Sequence, residues 1–248
     1  ITTLAATGQD VFHKDFTPLT EGFVYAEPND LDSVRELVKA HKTAAILFEA
    51  VQGEGGVMPL EKEFVTGLAE IAADNDILLM ADEVQTGNGR TGKLYAYMNY
   101  GVTPDIVTTA KGLGGGLPIG ACLLGEKVKD TLTQGSHGST FGGNPAVCAG
   151  AYNILSRIDD TLMDEVREKS AYVFDALRGA PGIRSVTGMG LMIGILPEKS
   201  AGEVIDLCRE DGVLVIKAKD RVRLLPPLNI PKELLEKAVA VIKAACAR

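Results

Sequence analysis

The amino-acid sequence predicts an α/β fold, in which helices cover a mainly parallel sheet, followed by a smaller C-terminal α+β domain. Short, almost wholly apolar runs alternate with amphipathic helical segments over the first 178 of the 248 residues. Such strands, buried on both faces, are typical of a parallel sheet. Aromatic residues make up only 5% and glycines number 28, which indicates aliphatic packing with many tight turns.

Caps and apolar runs predict the elements of the first part. Asn29-Asp30 precedes apolar residues at helical spacing, which predicts a capped helix that ends near His41. A second helix carries Phe64 and the apolar positions up to Ile71. Buried strands are predicted at residues 44–48, 77–81, 106–109 and 119–124.

A long helical stretch is predicted to bridge two domains. Asn144 supplies a cap and Pro145 the first helical position, and the stretch continues, after a break near Asp159, to Leu177. We therefore place the large domain, with its bridging helix, at residues 1–178 and the small α+β domain at residues 179–248. The small domain is predicted to contain strands at residues 183–186, 191–196, 213–216 and 222–225, and helices around residues 204–208 and 232–246.

Charge and cysteine content exclude several classes of partner. The net charge is −8 with no basic block, which argues against nucleic acid. No apolar run is long enough to span a bilayer and no leader opens the chain, so we predict a cytoplasmic protein without a membrane partner. With three His and no CxxC pair, we predict no metal site and four buried thiols. They are Cys122, Cys148, Cys208 and Cys246.

Three segments place reactive side chains where a predicted strand meets a loop, the location at which parallel sheets build ligand sites. They are residues 49–56, 82–92 and 111–116. In the second segment, alternation puts Asp82 and Glu83 on opposite sides of the chain, so only one faces a given site. The pair is either a solvated loop or the source of a carboxylate that keeps a pyridine nitrogen protonated.

Lys111 follows the third predicted strand and precedes a turn with four glycines at residues 112–116. Small residues allow a flat ligand to approach the backbone. A partly desolvated amine loses its proton and becomes a nucleophile toward an aldehyde. The alternatives are a surface lysine or the phosphate cradle of a nucleotide-binding module, although the Gly-Lys-Ser/Thr order that closes a P-loop is absent.

The two sites together, within seven ordered motifs, resemble the class III aminotransferases, and within them the acetylornithine aminotransferases, over essentially the whole chain. The motifs lie at residues 52–56, 82–87, 90–92, 104–106, 111–116, 137–145 and 223–227. The resemblance implies a fold-type I transferase that uses pyridoxal 5'-phosphate (PLP), with an incomplete large domain. It also implies that Lys111 binds PLP covalently, that Asp82 pairs with the pyridinium nitrogen, that Val84 packs on the ring and that Gln85 bonds the ring hydroxyl oxygen.

The same resemblance implies residues that act beyond the ring. Ser139 and Thr140 would contact the cofactor phosphate of the neighbouring subunit, so the active site would belong to a homodimer. Arg223 would hold the substrate carboxylate in a bidentate contact. Glu54 would be the acid that pairs with this arginine when a diamine-type substrate is bound.

The implied reaction moves an amino group from N-acetylornithine to 2-oxoglutarate, as in arginine biosynthesis. Alternative donors are ornithine, succinylornithine and 4-aminobutyrate, and an alternative of another class is a catalytically inactive fragment that keeps a scaffold or a dimer interface. The family's N-terminal part, with its phosphate loop, has no counterpart in a sequence that begins at Ile1. We therefore expect a fragment that lacks some phosphate and substrate contacts.

Overall fold

The computed structural model describes residues 1–248, which form two compact units, Ile1–Ala44 and Ala45–Arg248. The first unit contains α1 (Thr2–Ala6), α2 (Asp10–His13) and α3 (Leu31–Ala40). The Asp30 side chain accepts hydrogen bonds from the N–H groups of Asp32 and Ser33. These bonds satisfy free donors of the first turn, so α3 begins at the predicted cap.

The second unit opens with the first sheet and its helix. Its elements are β1 (Ala45–Phe48), β2 (Val51–Gln52), β3 (Met58–Pro59), α4 (Lys62–Asp74), β4 (Leu78–Asp82), β5 (Ile106–Thr109) and β6 (Ala121–Leu124). The sheet order is β1-β4-β5-β6. β1, β4 and β5 are parallel, and only β6 is antiparallel to its neighbour. The predicted α/β class with a mainly parallel sheet is confirmed.

The prediction that these strands are buried on both faces is wrong. In β4, Leu79 and Ala81 are buried whereas Leu78 and Met80 are partly exposed. In β1, Leu47 is 44% exposed. α4 packs against β1 and β4 and covers one face with its apolar side. An apolar run predicts that a strand is buried. It does not predict which face of the strand other elements of this chain cover.

Two consecutive helices follow the first sheet. α5 (Pro145–Leu155) begins where the Asn144 side chain accepts from the N–H groups of Ala146 and Val147. α6 (Asp160–Leu177) begins where Asp159 accepts from the Leu162 N–H. The predicted start, break and end of the helical stretch are confirmed, because side-chain caps specify helix starts locally.

The remaining residues form a second, antiparallel sheet covered by two helices. They contain β7 (Ile183–Met189), β8 (Met192–Pro197), α7 (Ala201–Glu210), β9 (Ile216–Ala218), β10 (Arg221–Leu224) and α8 (Lys232–Ala247), in the sheet order β7-β8-β10-β9. Ile193, Val204, Val222 and Ile242 are fully buried in its core. The prediction of a strand at residues 213–216 is wrong in position. The tight turn at residues 219–220 sets the pairing of Arg221 with Ala218, so β9 lies closer to the turn.

The burial of the four cysteines tests the prediction of four buried thiols. Cys208 and Cys246 are buried, and burial raises the pKa of Cys246 to about 11. Cys122 and Cys148 are exposed, so the prediction of four buried thiols is wrong for them. Cys122 lies on an exposed stretch of β6, and α5 buries only Ala151.

The predicted domain boundary at residues 178 and 179 stays a prediction, although it lies between the end of α6 and the start of β7. None of the helices combines the length and the apolar character that a bilayer span requires.

Candidate active site

Lys111 lies at the carboxyl end of β5, in the first position of a 3₁₀ turn, Lys111–Gly114. The residue is exposed, and its φ is +45°. A left-handed backbone at a residue other than glycine costs about 1–3 kcal/mol and persists only where the surroundings hold it. The chain therefore holds this lysine in a backbone conformation that its neighbours must maintain.

Asp82 and Glu83 point to opposite sides of the strand end, as alternation predicts. Asp82 is partly exposed, and its Oδ1 accepts from the Val84 N–H at 2.9 Å and from Thr108 Oγ1 at 3.3 Å. Two donors on adjacent segments orient this carboxylate at the end of β4. Val84 thus contributes a backbone donor to the site, and its predicted ring contact stays a prediction.

Glu83, in contrast, points into the protein interior, where its carboxyl is held by hydrogen bonds. Its carboxyl is fully buried and accepts from Thr86 Oγ1 at 2.6 Å and from the Tyr97 N–H at 2.9 Å. Burial raises the pKa of Glu83. Of the two adjacent acids, only Asp82 is available to a ligand.

Glu49 occupies the corresponding place at the end of β1, and the sequence assigned it no role. Its Oε2 accepts from the Gly53 N–H at 3.1 Å. Burial raises the pKa of Glu49 and the negative charge of Asp82 raises it further, whereas the Gly53 hydrogen bond and the positive charge of Lys111 lower it. Three charged groups therefore share one edge of the sheet. The signal for Glu49 was its place, directly after an apolar strand.

Arg223, on β10, meets two residues of the first half of this unit. Its Nη1 donates to Glu54 Oε1 at 2.7 Å and to Gln85 Oε1 at 3.2 Å. Arg223 is only 6% exposed, and its Nε has no hydrogen-bond partner. Glu54 is exposed. The structure brings together the two residues predicted to bind substrate, and it places Gln85 against the guanidinium.

Gly53 allows this close approach. A Cβ at residue 53 would lie 2.5 Å from the Gln85 side chain. The turn between β2 and β3 therefore packs directly on Gln85, which places Glu54 within reach of Arg223.

Arg90 joins the loop after β4 to the second sheet, a function that the sequence did not predict. Its Nη1 donates to the carbonyl oxygens of Leu191 at 3.1 Å and Pro226 at 2.6 Å. The Leu191 N–H donates back to the Arg90 carbonyl at 2.9 Å. Burial lowers the pKa of Arg90 to about 10, which leaves the side chain cationic at neutral pH. Its only sequence signal was the motif at residues 90–92.

Ser139 and Thr140 lie in an exposed turn. The Ser139 carbonyl accepts from the Gly142 N–H at 3.2 Å, and neither hydroxyl bonds to the other predicted site residues. Their predicted contact with a cofactor phosphate stays a prediction.

The residues at the sheet edge fit the chemistry of PLP. Lys111 is exposed and not partly desolvated as the sequence predicted, so its amine is accessible to an aldehyde. The oriented carboxylate of Asp82 suits a protonated ring nitrogen. In the glycine-rich turn, space is open at Gly116, where a Cβ would meet no atom within 4 Å, whereas Gly114 and Gly115 are closely packed.

Comparisons with known proteins agree over most of the chain. Residues 1–246 match the family described as Aminotransferase class-III. The chain is 46% identical over 244 residues to the acetylornithine aminotransferase of Haemophilus ducreyi, and 45% identical over 241 residues to that of Aquifex aeolicus. The matches cover 98% and 97% of this chain but 62% and 63% of those proteins. The chain thus spans less than two thirds of the length of these relatives.

Solved structures show the same fold. An ornithine aminotransferase from Toxoplasma gondii, whose structure shows partial occupancy of PLP at its active site, superposes with a TM-score of 0.93 at 32% identity. The superposition covers 100% of this chain and 61% of the Toxoplasma gondii chain. The N-acetylornithine aminotransferase of Stenotrophomonas maltophilia superposes with a TM-score of 0.84 at 36% identity, covering 92% of this chain and 63% of its own.

Proposed function

The chain belongs to the class III aminotransferase family, and from that premise we propose that it takes part in PLP-dependent transamination. One observation carries the proposal: the amine of Lys111 and the oriented carboxylate of Asp82 lie at the ends of neighbouring strands, β5 and β4. Their place at the carboxyl edge of a parallel sheet is where such folds bind ligands.

The residues of this chain have distinct tasks in the proposed reaction. PLP, when bound, supplies an electron sink for the carbon that carries the amino group. Lys111 would hold the cofactor through its amine, and the same amine, when free, would move a proton. Asp82 would keep the ring nitrogen protonated through its negative charge, and the hydrogen bonds from Val84 and Thr108 to its Oδ1 orient the carboxylate. Val84 would pack on the ring, and Gln85 would bond its hydroxyl oxygen.

Arg223 and Glu54 give the site its proposed selectivity. Arg223 binds the carboxylate of a diacid such as 2-oxoglutarate, because a guanidinium matches a carboxylate in a bidentate contact. With an amino donor that has no carboxylate at this place, Glu54 stays paired with Arg223, as it is here at 2.7 Å. The same pocket can then accept both substrates in turn.

We propose N-acetylornithine as the amino donor and 2-oxoglutarate as the acceptor, in arginine biosynthesis. The names of the relatives at 46% and 45% identity support this donor. Ornithine is the second candidate, because a solved ornithine aminotransferase superposes on the whole chain.

A cytoplasmic homodimer with a shared site is part of the proposal. Phe141 is 86% exposed and lies directly after Ser139 and Thr140, and Tyr152 on α5 is 77% exposed. Large exposed apolar side chains, of which Phe141 adjoins the predicted phosphate residues, favour an interface on this part of the chain.

A donor panel tests the proposal. The purified chain is supplied with PLP, 2-oxoglutarate and, in parallel, N-acetylornithine, ornithine, succinylornithine or 4-aminobutyrate, and glutamate is quantified. We expect N-acetylornithine to give the highest kcat/KM. A higher value with ornithine would change the donor, and failure to form glutamate from any donor would favour the catalytically inactive fragment.

A further inference from the structure

The peptide that precedes Lys111 is held from outside its own strand. The Ala110 carbonyl accepts from the Leu113 N–H at 3.0 Å, which closes the 3₁₀ turn, and from Asn88 Nδ2 at 3.1 Å. The first bond is local to the turn. The second comes from the loop that follows β4 and Asp82, so a single side chain connects the two strand ends of the site.

Asn88 makes a second contact with the same strand end. Its Nδ2 also donates to Thr109 Oγ1 at 3.0 Å. Asn88 is only 6% exposed. Both amide hydrogens of the side chain are therefore used on the two residues directly before Lys111.

Backbone conformation alone does not account for an asparagine here. Asn88 has a φ of +55°, which glycine adopts at no steric cost. Its Oδ1 is buried without a hydrogen-bond partner, and a buried unpaired acceptor is unfavourable. A glycine would give the same backbone and bury no orphan oxygen, so the Nδ2 contacts distinguish asparagine at this position.

We propose that Asn88 is a positioning residue that fixes the peptide before Lys111 and so directs the lysine amine relative to Asp82. The proposal rests on the function proposed above. Lys111 has a φ of +45°, a conformation that lysine rarely adopts on its own. Asn88 holds the peptide before Lys111, and Asn88 itself lies in the segment that follows Asp82. The Lys111 amine and the Asp82 carboxylate therefore keep one relative geometry.

Covalent capture of PLP by the folded chain of 248 residues is the first test. Capture joins the lysine nitrogen to the aldehyde carbon with loss of water, and borohydride then reduces the new C=N bond so that the Lys111 peptide can be quantified by mass. In Asn88→Gly we expect the rate of the covalent step to fall about tenfold or more, because small misplacements of reacting groups slow reactions strongly. The Kd of the preceding non-covalent encounter should stay within about twofold of the wild-type value.

Two variants separate positioning from general stability. Asn88→Asp tolerates the same backbone but puts an oxygen where Nδ2 donates, and we expect it to be slow as well. Lys219→Gly is the matched control, since residue 219 also has a positive φ, +52°, on an exposed turn. A rate for Asn88→Gly within twofold of wild type, or an equal loss in Lys219→Gly, would overturn the proposal.

Hydrogen exchange without PLP tests the same claim independently of the function. The Leu113 N–H donates to Ala110, so it reports on the turn that Asn88 holds. We expect its exchange rate to rise about tenfold in Asn88→Gly and to be unchanged in Lys219→Gly. If the wild-type chain captures no PLP at Lys111, the proposed function fails and this rate still decides the role of Asn88: an unchanged rate refutes it.

Discussion

Arg223 is a buried cation whose carboxylate partner, Glu54, is exposed. The two residues lie 2.7 Å apart, and the Glu54 side chain retains 50% of its exposure. A pair in which one member is in water contributes little net free energy, because solvent screens it. Departure of Glu54 alone would leave the buried guanidinium with only Gln85 as its partner. Glu54 therefore leaves at little cost where an incoming carboxylate takes its place, as an exchange between two kinds of substrate requires.

Replacing Glu54 should favour diacid binding. In Glu54→Gln the charge that competes for Arg223 is lost, and we expect the Kd for 2-oxoglutarate to fall by about two- to fivefold, the range that an exposed ion pair provides. Isothermal titration with the PLP-loaded chain measures it, and Glu63→Gln, an exposed acid on α4, is the control. Weaker binding in Glu54→Gln would contradict the competition between Glu54 and substrate.

Glu83 should make stability depend on pH. Burial raises the pKa of Glu83 above its ordinary value of 4.5, so the folded chain binds this proton more tightly than the unfolded chain does. Stability is therefore lost as pH rises from 4.5 through the raised pKa. The loss is about 1.4 kcal/mol for each unit of difference.

Glu83→Gln removes this titration. The free energy of unfolding of Glu83→Gln, relative to that of the wild type, should increase from pH 4.5 to neutral pH in urea denaturation. Glu168→Gln, exposed on α6, should show no such trend. A constant difference for Glu83→Gln over the whole range would show that Glu83 does not carry the pH dependence.

At the residue scale, local alternation was sufficient to place Asp82 and Glu83 on opposite sides of the strand, and the likeness to a family selected Asp82. It could not reveal that Arg223 reaches both Glu54 and Gln85, because 169 and 138 positions separate these residues from it. Only the likeness to a family pointed to the pair of Arg223 and Glu54. No local sequence pattern predicted the hydrogen bonds of Asn88 and Arg90.

At the scale of elements, the turn between β7 and β8 packs directly on the loop after β4. Gly190 has a φ of +58°, and a Cβ there would lie 2.4 Å from the Arg90 carbonyl oxygen. Arg90 donates from the same loop to Leu191 and Pro226. This junction sets the place of β10, and so of Arg223, relative to Asp82.

Gly190→Ala should therefore lower the free energy of unfolding by more than its backbone conformation alone explains. Gly179 has a similar φ of +69° and nothing within 4 Å of a Cβ, so Gly179→Ala measures the conformational term, about 1 kcal/mol. We expect Gly190→Ala to lose about 1–3 kcal/mol more, because its methyl group meets backbone that must move. Urea denaturation of both variants measures the difference, and equal losses would show that the junction is loosely packed.

The sequence predicted helix starts well because a cap is a local hydrogen bond, as at Asp30 and Asn144. It misplaced β9 because the pairing of two strands and the turn between them decide where a strand lies. It also missed the partly exposed face of the first sheet. Coverage of a face depends on distant elements, and no apolar run records it.

At the scale of the whole molecule, the second unit contains a mainly parallel sheet with the reactive groups and an antiparallel sheet with Arg223. The two sheets meet through Arg90 and through the contacts of Arg223 with Glu54 and Gln85. The fold class was predictable because apolar runs and helical periods are dense in the sequence. The meeting of the two sheets depends on contacts between distant segments.

The central claim is that Lys111 is the amine that binds PLP, and site mapping after borohydride reduction tests it most directly. The wild-type chain and Lys111→Ala are incubated with PLP, reduced and digested, and every modified lysine is identified by mass. We predict one dominant pyridoxyl adduct, on Lys111, and no dominant adduct elsewhere in Lys111→Ala. A dominant adduct on another lysine, or an equal yield on many lysines in both proteins, would contradict it.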